Sequence, residues 1–452
     1  MAALTHASLV RSIRALLLGT FTLRLSTSLT GTMLAYYLAE MPKHGGSEVQ
    51  PIEFGLLATS FYVAELVLGP PFGALSDRLG HHRVMQWGPA FGFVAVVLTW
   101  ASTHLVVLGG TRLLEGASTA ASVPSILGFI AAATALDVAA RGRTVARFEA
   151  ATLAGIGAGI VLAGPLFQVF GRAAFLMNAV VYVFSFFVYR RGVAEAPSAE
   201  HQVPPGHYGL RRYWTVLTSS HVWLLAPTWI AINACVGIVT TQTLFLLVRV
   251  RPDRFADQML MGVATPVLVS VGLSVGGLVF LAGLLYSGAR FAHLRRTTII
   301  FEGVLGGLVI AVASGIANHS QGFPVAAHGA LALLVLGGVF GLAGATPAAL
   351  GLLADITETY PTDRGAIMGL YSVFLALGQI VGSLVGGGAA QIDGVDGLVV
   401  AALVLLAVAV VPLYRLRDFE HAVGTVAEGH GPRTTERTGG DEEAARGGAT
   451  EA

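Results

Sequence analysis

The chain has 452 residues, of which 54% are hydrophobic and only 12% are charged, and its formal net charge is +1. Soluble proteins carry about 25% charged residues, and a water-soluble fold of this length could not hide so much apolar surface. The composition therefore excludes an ordinary soluble enzyme, a nucleic-acid-binding protein and a disordered chain. The single cysteine, Cys235, excludes an intrachain disulfide and argues against a cysteine metal cluster.

Twelve apolar stretches are long enough to cross a bilayer as helices, which takes roughly 20 residues each. They cover approximately residues 13–39, 54–75, 84–103, 105–133, 144–169, 172–190, 221–248, 261–287, 297–317, 325–353, 365–390 and 395–414. These stretches are too long and too continuously apolar for barrel strands. The first is also too long for a signal-peptide core, so we expect it to remain as a helix. The sequence predicts an all-α integral membrane protein with twelve transmembrane helices.

The basic residues predict the orientation of these helices. If the N-terminus is inside, the inner loops hold seventeen arginines, whereas the outer loops hold four arginines and Lys43. Both termini are therefore expected on the cytoplasmic side. The strong preference for arginine over lysine, with abundant alanine and glycine, is typical of a GC-rich bacterial genome. We expect a multi-pass protein of the bacterial inner membrane.

The chain divides into two six-helix halves. Residues 1–192 are expected to form an N-terminal bundle, 193–218 a cytoplasmic linker, 219–416 a C-terminal bundle and 417–452 a disordered cytoplasmic tail. Glycine-rich fifth and eleventh spans support an internal repeat, because Arg143 and Arg364 each precede a glycine, Gly157 and Gly378, by the same interval. Two halves in the same orientation imply pseudo-twofold symmetry about an axis along the membrane normal.

The loop between spans two and three reads Gly-Ala-Leu-Ser-Asp-Arg-Leu-Gly-His-His-Arg over residues 73–83. Its glycines permit a sharp turn, and a carboxylate beside a helix end can accept charge-assisted hydrogen bonds. The run G-x-L-x-D-R-x-G resembles the signature loop of the major facilitator superfamily. The resemblance implies a transporter whose two halves are latched on the cytoplasmic side by this loop. The expected latch residues are Gly73, Asp77, Arg78, Gly80, Arg83 and, at the start of span eleven, Arg364.

His81 and His82 stand in this loop where the family usually has arginine or lysine. Imidazole is mostly neutral at pH 7, so the latch is either weaker and pH-dependent or takes its charge from Arg83 with the histidines solvated. Both readings remain open from the sequence.

Ionisable groups inside a span are costly and are functional candidates. At 1.5 Å per residue, Arg24 and Glu65 lie about 16 and about 15 Å from the inner surface, so an ion pair between spans one and two is expected. Arg112 and Glu115 are three residues apart in span four and share a helix face. Their pattern R-x-x-E-G resembles a motif of proton-coupled drug exporters in the same family. Static ion pairs that orient helices are the alternative to proton coupling or substrate contact.

Polar residues of the second half are mostly uncharged. Asn233 and Gln242 in span seven are candidates for hydrogen bonds to a substrate, with helix-to-helix hydrogen bonding as the alternative. Glu302 in span nine is expected near the inner surface, paired with a loop arginine.

Span five contains Gly164-Pro165, which resembles part of the glycine-rich fifth span of exporters in the family. The Gly-Gly pair that follows in those exporters is replaced here by Gln168 and Val169. A purely physical explanation is that the small residues allow close packing and the proline kinks the helix.

These features predict a proton-coupled secondary transporter that exports small amphiphilic compounds by antiport with alternating access. An importer or symporter of a small metabolite on the same fold is the first alternative, and a non-transporting membrane sensor the second. The chain shows no phosphate-cradling loop with lysine and no nucleophile elbow, so we expect neither an ATP-driven pump nor an enzyme. No cofactor is expected besides the proton gradient. The expected partners are a small-molecule substrate and the lipid bilayer, with the chain acting as a monomer.

Overall fold

The computed structural model describes residues 6–134, 137–194, 222–359 and 364–428, and these residues form helices without strands. We number the helices α1 to α12 in chain order. The first half comprises α1 (His6–Ala39), α2 (Pro51–Leu79), α3 (His81–Met85 and Trp87–Ala101), α4 (Leu105–Ala133), α5 (Val138–Phe170) and α6 (Ala174–Gly192). The second half comprises α7 (Val222–Ile238, continued by a π-helical turn Val239–Thr243 and by Leu244–Val248), α8 (Pro266–Ala289), α9 (Arg296–Asn318), α10 (Val325–Ala343 and Ala345–Thr359), α11 (364–392) and α12 (395–428).

Each helix matches one predicted span. By length and composition, nine stretches of the described residues could cross a membrane, and two of them, Ala140–Gly192 and Ser372–Asp418, each contain two helices. The last helix continues to Glu428, so residues 417–428 are helical where the sequence led us to expect disorder. Residues 429–452 and most of the expected linker lie outside the described residues.

Local signals place several helix ends. The Gln50 N–H donates to the Glu53 carboxylate at 2.7 Å in a capping box, and Pro51 follows at the first helical position of α2. Gly80 has φ 96° at the turn from α2 to α3, and Gly394 has φ 55° between α11 and α12. Both values lie where a side chain is disfavoured, so the sharp turn expected at Gly80 is confirmed.

In each half, a pair of glycines brings one helix into close contact with another helix of the same half. A Cβ at Gly155 or Gly159 of α5 would lie 2.5 or 2.6 Å from a carbonyl oxygen of α1. A Cβ at Gly378 or Gly382 of α11 would lie 2.7 or 2.1 Å from a carbonyl oxygen of α7. The contacts of α5 with α1 and of α11 with α7 are therefore equivalent. The internal repeat pairs Gly378 with Gly155 and not with Gly157, which has open space around it.

Among the described residues, the contacts between the two halves lie at one end of the bundle. We call the end where α1 begins and α12 finishes the terminal end, and the opposite end the distal end. A single hydrophobic cluster at the distal end includes residues of both halves, with the Phe54 and Phe245 rings 5.2 Å apart. At the terminal end, one cluster belongs to the first half and includes Leu16 and Phe129, and another belongs to the second half and includes Ile300 and Leu353.

Candidate functional site

Arg24 of α1 lies inside the first half, beside the close contact of α1 with α5. A side chain at Gly155 of α5 would place its Cβ 2.9 Å from the Cβ of Arg24, so glycine is required at this position for α5 to pack against α1. The Arg24 side chain interacts electrostatically with two carboxylates, Glu65 of α2 and Glu149 of α5. The expected direct ion pair between Arg24 and Glu65 is not formed, because no N–O distance between them is within 4 Å among the described residues. The charge of the guanidinium instead acts on both acids without a direct ion pair to either among the described residues.

Glu149 was missed by the sequence analysis. It belongs to the first turns of span five, just after Arg143 and Arg147, and so looks like part of a charged loop. In the structure α5 begins at Val138, so Glu149 lies well inside the helix, where it is exposed.

Arg112 and Glu115 of α4 form the predicted pair. The Arg112 guanidinium donates a hydrogen bond to Glu115 and lies 4.8 Å from the centre of the Phe61 ring of α2. Glu115 is fully buried and Arg112 is 8% exposed. Gly116 allows this packing, because a Cβ there would be 2.3 Å from the Phe61 carbonyl oxygen. The pair is thus enclosed between α2 and α4, with Glu115 sealed from solvent.

The two polar candidates of α7 have different surroundings. Asn233 donates to the Trp229 carbonyl oxygen at 2.8 Å within its own helix and packs on Gly378, in the position that Arg24 has in the first half. Gln242 lies in the π-helical turn, is fully buried and donates to the Pro51 carbonyl oxygen of α2 at 3.0 Å. Gln242 therefore joins the two halves, whereas Asn233 belongs to the contact of α7 with α11. The π turn has no clear signal in the sequence.

The distal end is closed by polar contacts as well as by apolar packing. Arg249, whose side chain is 5% exposed, pairs with Glu48 at 2.5 Å across the two halves. Ser270 of α8 accepts a hydrogen bond from the Gly164 N–H at 2.8 Å and contacts the Tyr36 hydroxyl at 3.2 Å. Gly164, expected to kink a helix together with Pro165, is thus the point where α5 touches α8. A Cβ at Gly164 would lie 2.2 Å from the Pro266 carbonyl oxygen.

The predicted latch loop lies at the terminal end. Asp77 is 75% exposed, and its ion-pair partner is His81 of the same half at 4.0 Å. Gly73 lies near Pro124 of α4, and Arg78 and Arg83 are exposed. The side chain of Arg364 lies outside the described residues, so its pairing with Asp77 stays a prediction.

His81 and His82 are packed within the first half. The His81 ring lies 2.5 Å from the position that a Cβ at Gly128 of α4 would take, and its Nδ1 is 3.2 Å from Ser76 Oγ. His82 Nε2 is 3.1 Å from the Tyr189 carbonyl oxygen of α6. Both side chains therefore hold the loop to its own bundle, and neither is a freely solvated arm.

Glu302 of α9 has the loop partner that the sequence predicted. Its two carboxylate oxygens accept hydrogen bonds from Arg290 at 2.6 and 2.8 Å. These hydrogen bonds raise the pKa of the Arg290 guanidinium, so this side chain keeps its positive charge.

The contacts between the halves define the conformation. Every hydrogen bond, ion pair and ring contact found between the halves in the described part of the chain joins residues of the distal end. Arg24 and Glu65 are half-buried and Glu149 is exposed, although all three lie well inside their helices. The described part of the structure is therefore closed at the distal end, whereas its hydrophobic clusters at the terminal end each belong to one half.

Known proteins resemble this chain in sequence and in fold. Residues 16–327 match the model of the Major Facilitator Superfamily. Multidrug resistance protein 2 of Bacillus subtilis is 26% identical over 352 residues, which is 68% of this chain and 81% of that protein. A crystal structure of a mutant of the nucleoside transporter NupG superposes with a TM-score of 0.71 at 11% identity, covering 91% of this chain and 99% of that one.

A second solved structure has the same fold. It is a bacterial homologue of the human lysosomal transporter Spinster in an inward-facing, unoccupied conformation, with a TM-score of 0.68 at 11% identity over 94% of this chain and 98% of that one. At such low identities the two structures establish the fold alone. The sequence match extends over more than half of the chain, and the charged helices, the paired bundles and the loop at residues 73–83 agree with it. The chain is a multi-pass membrane transporter, not an enzyme, and it belongs to the major facilitator superfamily.

Proposed function

We propose that this transporter exports small amphiphilic compounds in exchange for protons, by alternating access. The terminal end faces the cytoplasm of a bacterial cell, so the structure represents the inward-open form. The arginine distribution of the loops supports this orientation. Substrate enters from the cytoplasm between the two bundles and meets the charges of α1, α2 and α5.

The observation that carries the proposal is the sharing of Arg24 by two carboxylates. One guanidinium can neutralise one carboxylate, and a second ionised acid at this depth is costly without a partner. We infer that one of Glu65 and Glu149 carries a proton when the site is empty, because the single guanidinium of Arg24 can neutralise only one of them. A cationic or amphiphilic substrate can replace that proton, and reprotonation can expel the substrate. This competition is what antiport requires.

The pair of Arg112 and Glu115 has a different role in this scheme. Glu115 is fully buried and already neutralised by its neighbour, so it is poorly placed to exchange protons in this conformation. The pair orients α4 against α2 beside Glu65, because Gly116 also packs on the Glu65 N–H side of that helix. We expect Glu115 to influence proton transfer through the position of Glu65.

Export rather than import is supported by the relative from Bacillus subtilis, whose name describes multidrug resistance. The partial exporter-like sequence at Gly164-Pro165 also supports it, because Gly164 forms a distal contact of α5 with α8 that has to open when the halves rock. Opening to the outside then requires the distal contacts to break and new contacts to form at the loop of Asp77.

Ethidium accumulation tests the proposal in pump-deficient bacteria that express the full chain, with and without a protonophore. We expect lower accumulation than in cells with an empty vector, restored by the protonophore. Glu65→Gln and Glu149→Gln should each abolish the protonophore-sensitive part. Glu302→Gln is the matched control, because this acid also lies on a membrane helix but pairs with Arg290 away from Arg24.

Two results would contradict the proposal. Full proton-driven export by the double variant of Glu65 and Glu149 would show that the shared arginine does not mark the coupling site. Protonophore-sensitive uptake in the same cells would instead establish the importer alternative, for which a protonatable acid serves equally well.

A further inference from the structure

The amide oxygen of Gln379, on α11, is buried and unpartnered in the described part of the chain. The residue is only 6% exposed, and its Oε1 accepts no hydrogen bond there. The two neighbouring buried amides, Asn233 and Gln242 of α7, each donate to a carbonyl oxygen. A buried amide without hydrogen bonds is costly, and each such group in a folded protein calls for an explanation. Gln379 thus differs from its neighbours, and its amide oxygen is available to a ligand.

The internal repeat shows that this position is built differently in the two halves. When the glycines of the α5–α1 and α11–α7 contacts are aligned, Gln379 corresponds to Ile156 and Gly237 of α7 corresponds to Ser28 of α1. In the first half, the Ser28 hydroxyl donates to the Ile156 carbonyl oxygen at 3.0 Å. In the second half, a Cβ at Gly237 would lie 3.2 Å from Gln379 Oε1. Glycine therefore makes room for the long side chain and removes the hydroxyl that could have paired with it.

The register between α2 and α11 follows from two close contacts across the halves. A Cβ at Gly387 of α11 would lie 3.0 Å from the Pro51 carbonyl oxygen of α2, and a Cβ at Gly55 of α2 would lie 2.4 Å from the Ser383 carbonyl oxygen of α11. The helices are antiparallel, because α2 begins and α11 ends at the distal end. The two contacts are four residues apart on each helix, which is the spacing of residues along one ridge of a helix surface.

The next step of this register brings Thr59 opposite Gln379, one helical turn or about 6 Å inside the distal contacts. Thr59 Oγ1 is buried and, like Gln379 Oε1, has no partner among the residues that the structure describes. A hydroxyl and a primary amide can both donate and accept hydrogen bonds. Two unpaired polar groups from different halves therefore line one position beside the closed end.

The charged residues of the first half lie farther from the distal end than this position. Glu65 follows Thr59 by six residues on α2, so the two residues are about 9 Å apart along the helix axis. On α11, Ser372 precedes Gln379 by two turns, is exposed, and has the position that Glu149 has in the first half. The second half thus presents a hydroxyl and an amide where the first half presents charges.

We propose that Gln379 and Thr59 bind a hydrogen-bond donor of the substrate, away from its cationic centre. The transporter then prefers amphiphilic cations that carry an amine or a hydroxyl over cations of the same shape without one, because the latter leave both groups unpaired. This inference rests on the proposed function, in that it takes an amphiphilic cation as the substrate. It adds the residues that distinguish one such cation from another.

Ethidium and its deaminated analogue, the ethyl-phenylphenanthridinium cation, are a matched pair of probes. They share the cationic ring system and differ in the amino groups that donate hydrogen bonds. Equilibrium dialysis against the purified full chain in lipid nanodiscs gives the Kd of each cation without a proton gradient and whatever the direction of transport. We expect the wild type to bind ethidium at least ten-fold more tightly than the analogue, as expected for two hydrogen bonds. The ratio of the two Kd values is the readout, because a change of conformation affects both cations alike.

Variants on each half test the cause of this preference. Gln379→Met keeps the length of the side chain and removes the amide, and Thr59→Val keeps the shape and removes the hydroxyl. Each should lower the preference for ethidium roughly five-fold, the effect of one lost hydrogen bond, by weakening the binding of ethidium and not of the analogue. Gln391→Met is the matched control, because it makes the same exchange on the same helix at the distal end, where the Gln391 amide donates to Gln50 at 3.2 Å. It should leave the ratio unchanged.

Three results would overturn the inference. Equal affinity of the wild type for the two cations would show that no donor is recognised, and would leave the proposed function intact. A ratio that stays unchanged in Gln379→Met and Thr59→Val, or falls as far in Gln391→Met, would place the selectivity elsewhere in the chain. Binding of neither cation by the wild type would contradict the substrate class of the proposed function, and this inference with it.

Discussion

Adding one methyl group at Gly164, by Gly164→Ala, should shift the equilibrium between the conformation with a closed distal end and the one with an open distal end. A Cβ there would lie 2.2 Å from the Pro266 carbonyl oxygen and 2.6 Å from Ser270 Oγ. The carbonyl belongs to a helix backbone and would have to move by about 1 Å to restore an ordinary contact. Overpacking of this kind costs about 1–3 kcal/mol. The cost applies only while α5 and α8 touch, so Gly164→Ala should favour opening of the distal end by about five-fold to more than a hundred-fold.

Gly157→Ala is the matched control for this change. Gly157 lies on the same helix and has no atom of another residue within 4 Å of its ideal Cβ. Both substitutions gain the same helix propensity, about 1 kcal/mol for glycine to alanine. Any difference between the two variants therefore reports the contact with α8 and not the stiffness of α5.

The populations can be measured from distances between spin labels at the distal end. Val106 at the start of α4 is 90% exposed and Val325 at the start of α10 is 89% exposed, so cysteines there disturb no packing and report one distance across the halves. The native thiol is replaced in the same chain by Cys235→Ala. We expect a longer-distance population in Gly164→Ala and the wild-type distribution in Gly157→Ala. Identical distributions in the two variants would refute the reasoning.

Three further predictions concern contacts within and between the halves. Glu48→Gln removes the carboxylate that pairs with the buried Arg249 across the distal end. Because Glu48 is 59% exposed, we expect the distal contact to lose about 1 kcal/mol, which should appear as a longer distance between the spin labels. Glu40→Gln should leave that distance unchanged, because the ion pair of Glu40 stays within its own loop. Gly382→Ala should lower the melting temperature in detergent, because its Cβ would lie 2.1 Å from a carbonyl oxygen of α7, while Gly388→Ala, with open space, should not; equal melting temperatures would show that α11 adjusts freely. Cys235 is 8% exposed and should resist N-ethylmaleimide until the protein is unfolded, so rapid labelling of the folded chain would contradict its buried position.

Part of the candidate site was accessible from the sequence because it follows from local spacing. Arg112 and Glu115 are one helical turn apart, so their pairing needed only the assignment of α4 as a helix. Depth along a span is also a local quantity, and the electrostatic interaction of Arg24 with Glu65 is consistent with the similar depths that the sequence predicts. Their direct pairing was not formed, because the side-chain direction on each helix depends on how α1 and α2 are rotated against each other.

Other parts depend on which helices become neighbours. Glu149 approaches Arg24 only because Gly155 and Gly159 bring α5 against α1. For Gln242 the sequence left a substrate contact and a helix-to-helix hydrogen bond open, and the structure shows the second, to the Pro51 carbonyl oxygen at the distal end. Both outcomes rest on contacts more than 100 residues apart in the chain, and no spacing in the sequence encodes them.

The sequence by itself determined that this is a membrane protein, because its apolar content is too high for a water-soluble fold. The division of that content into lengths that span a bilayer determined the number of helices, and the loop at residues 73–83 indicated the family. Only the tertiary structure decided which end of the bundle is closed and which charges share a partner. The reason is physical. Crossing a membrane requires a property of each segment alone. Closing one end depends on helices that pack so closely that a Cβ at Gly164 or Gly55 would lie 2.2 or 2.4 Å from a carbonyl oxygen of another helix.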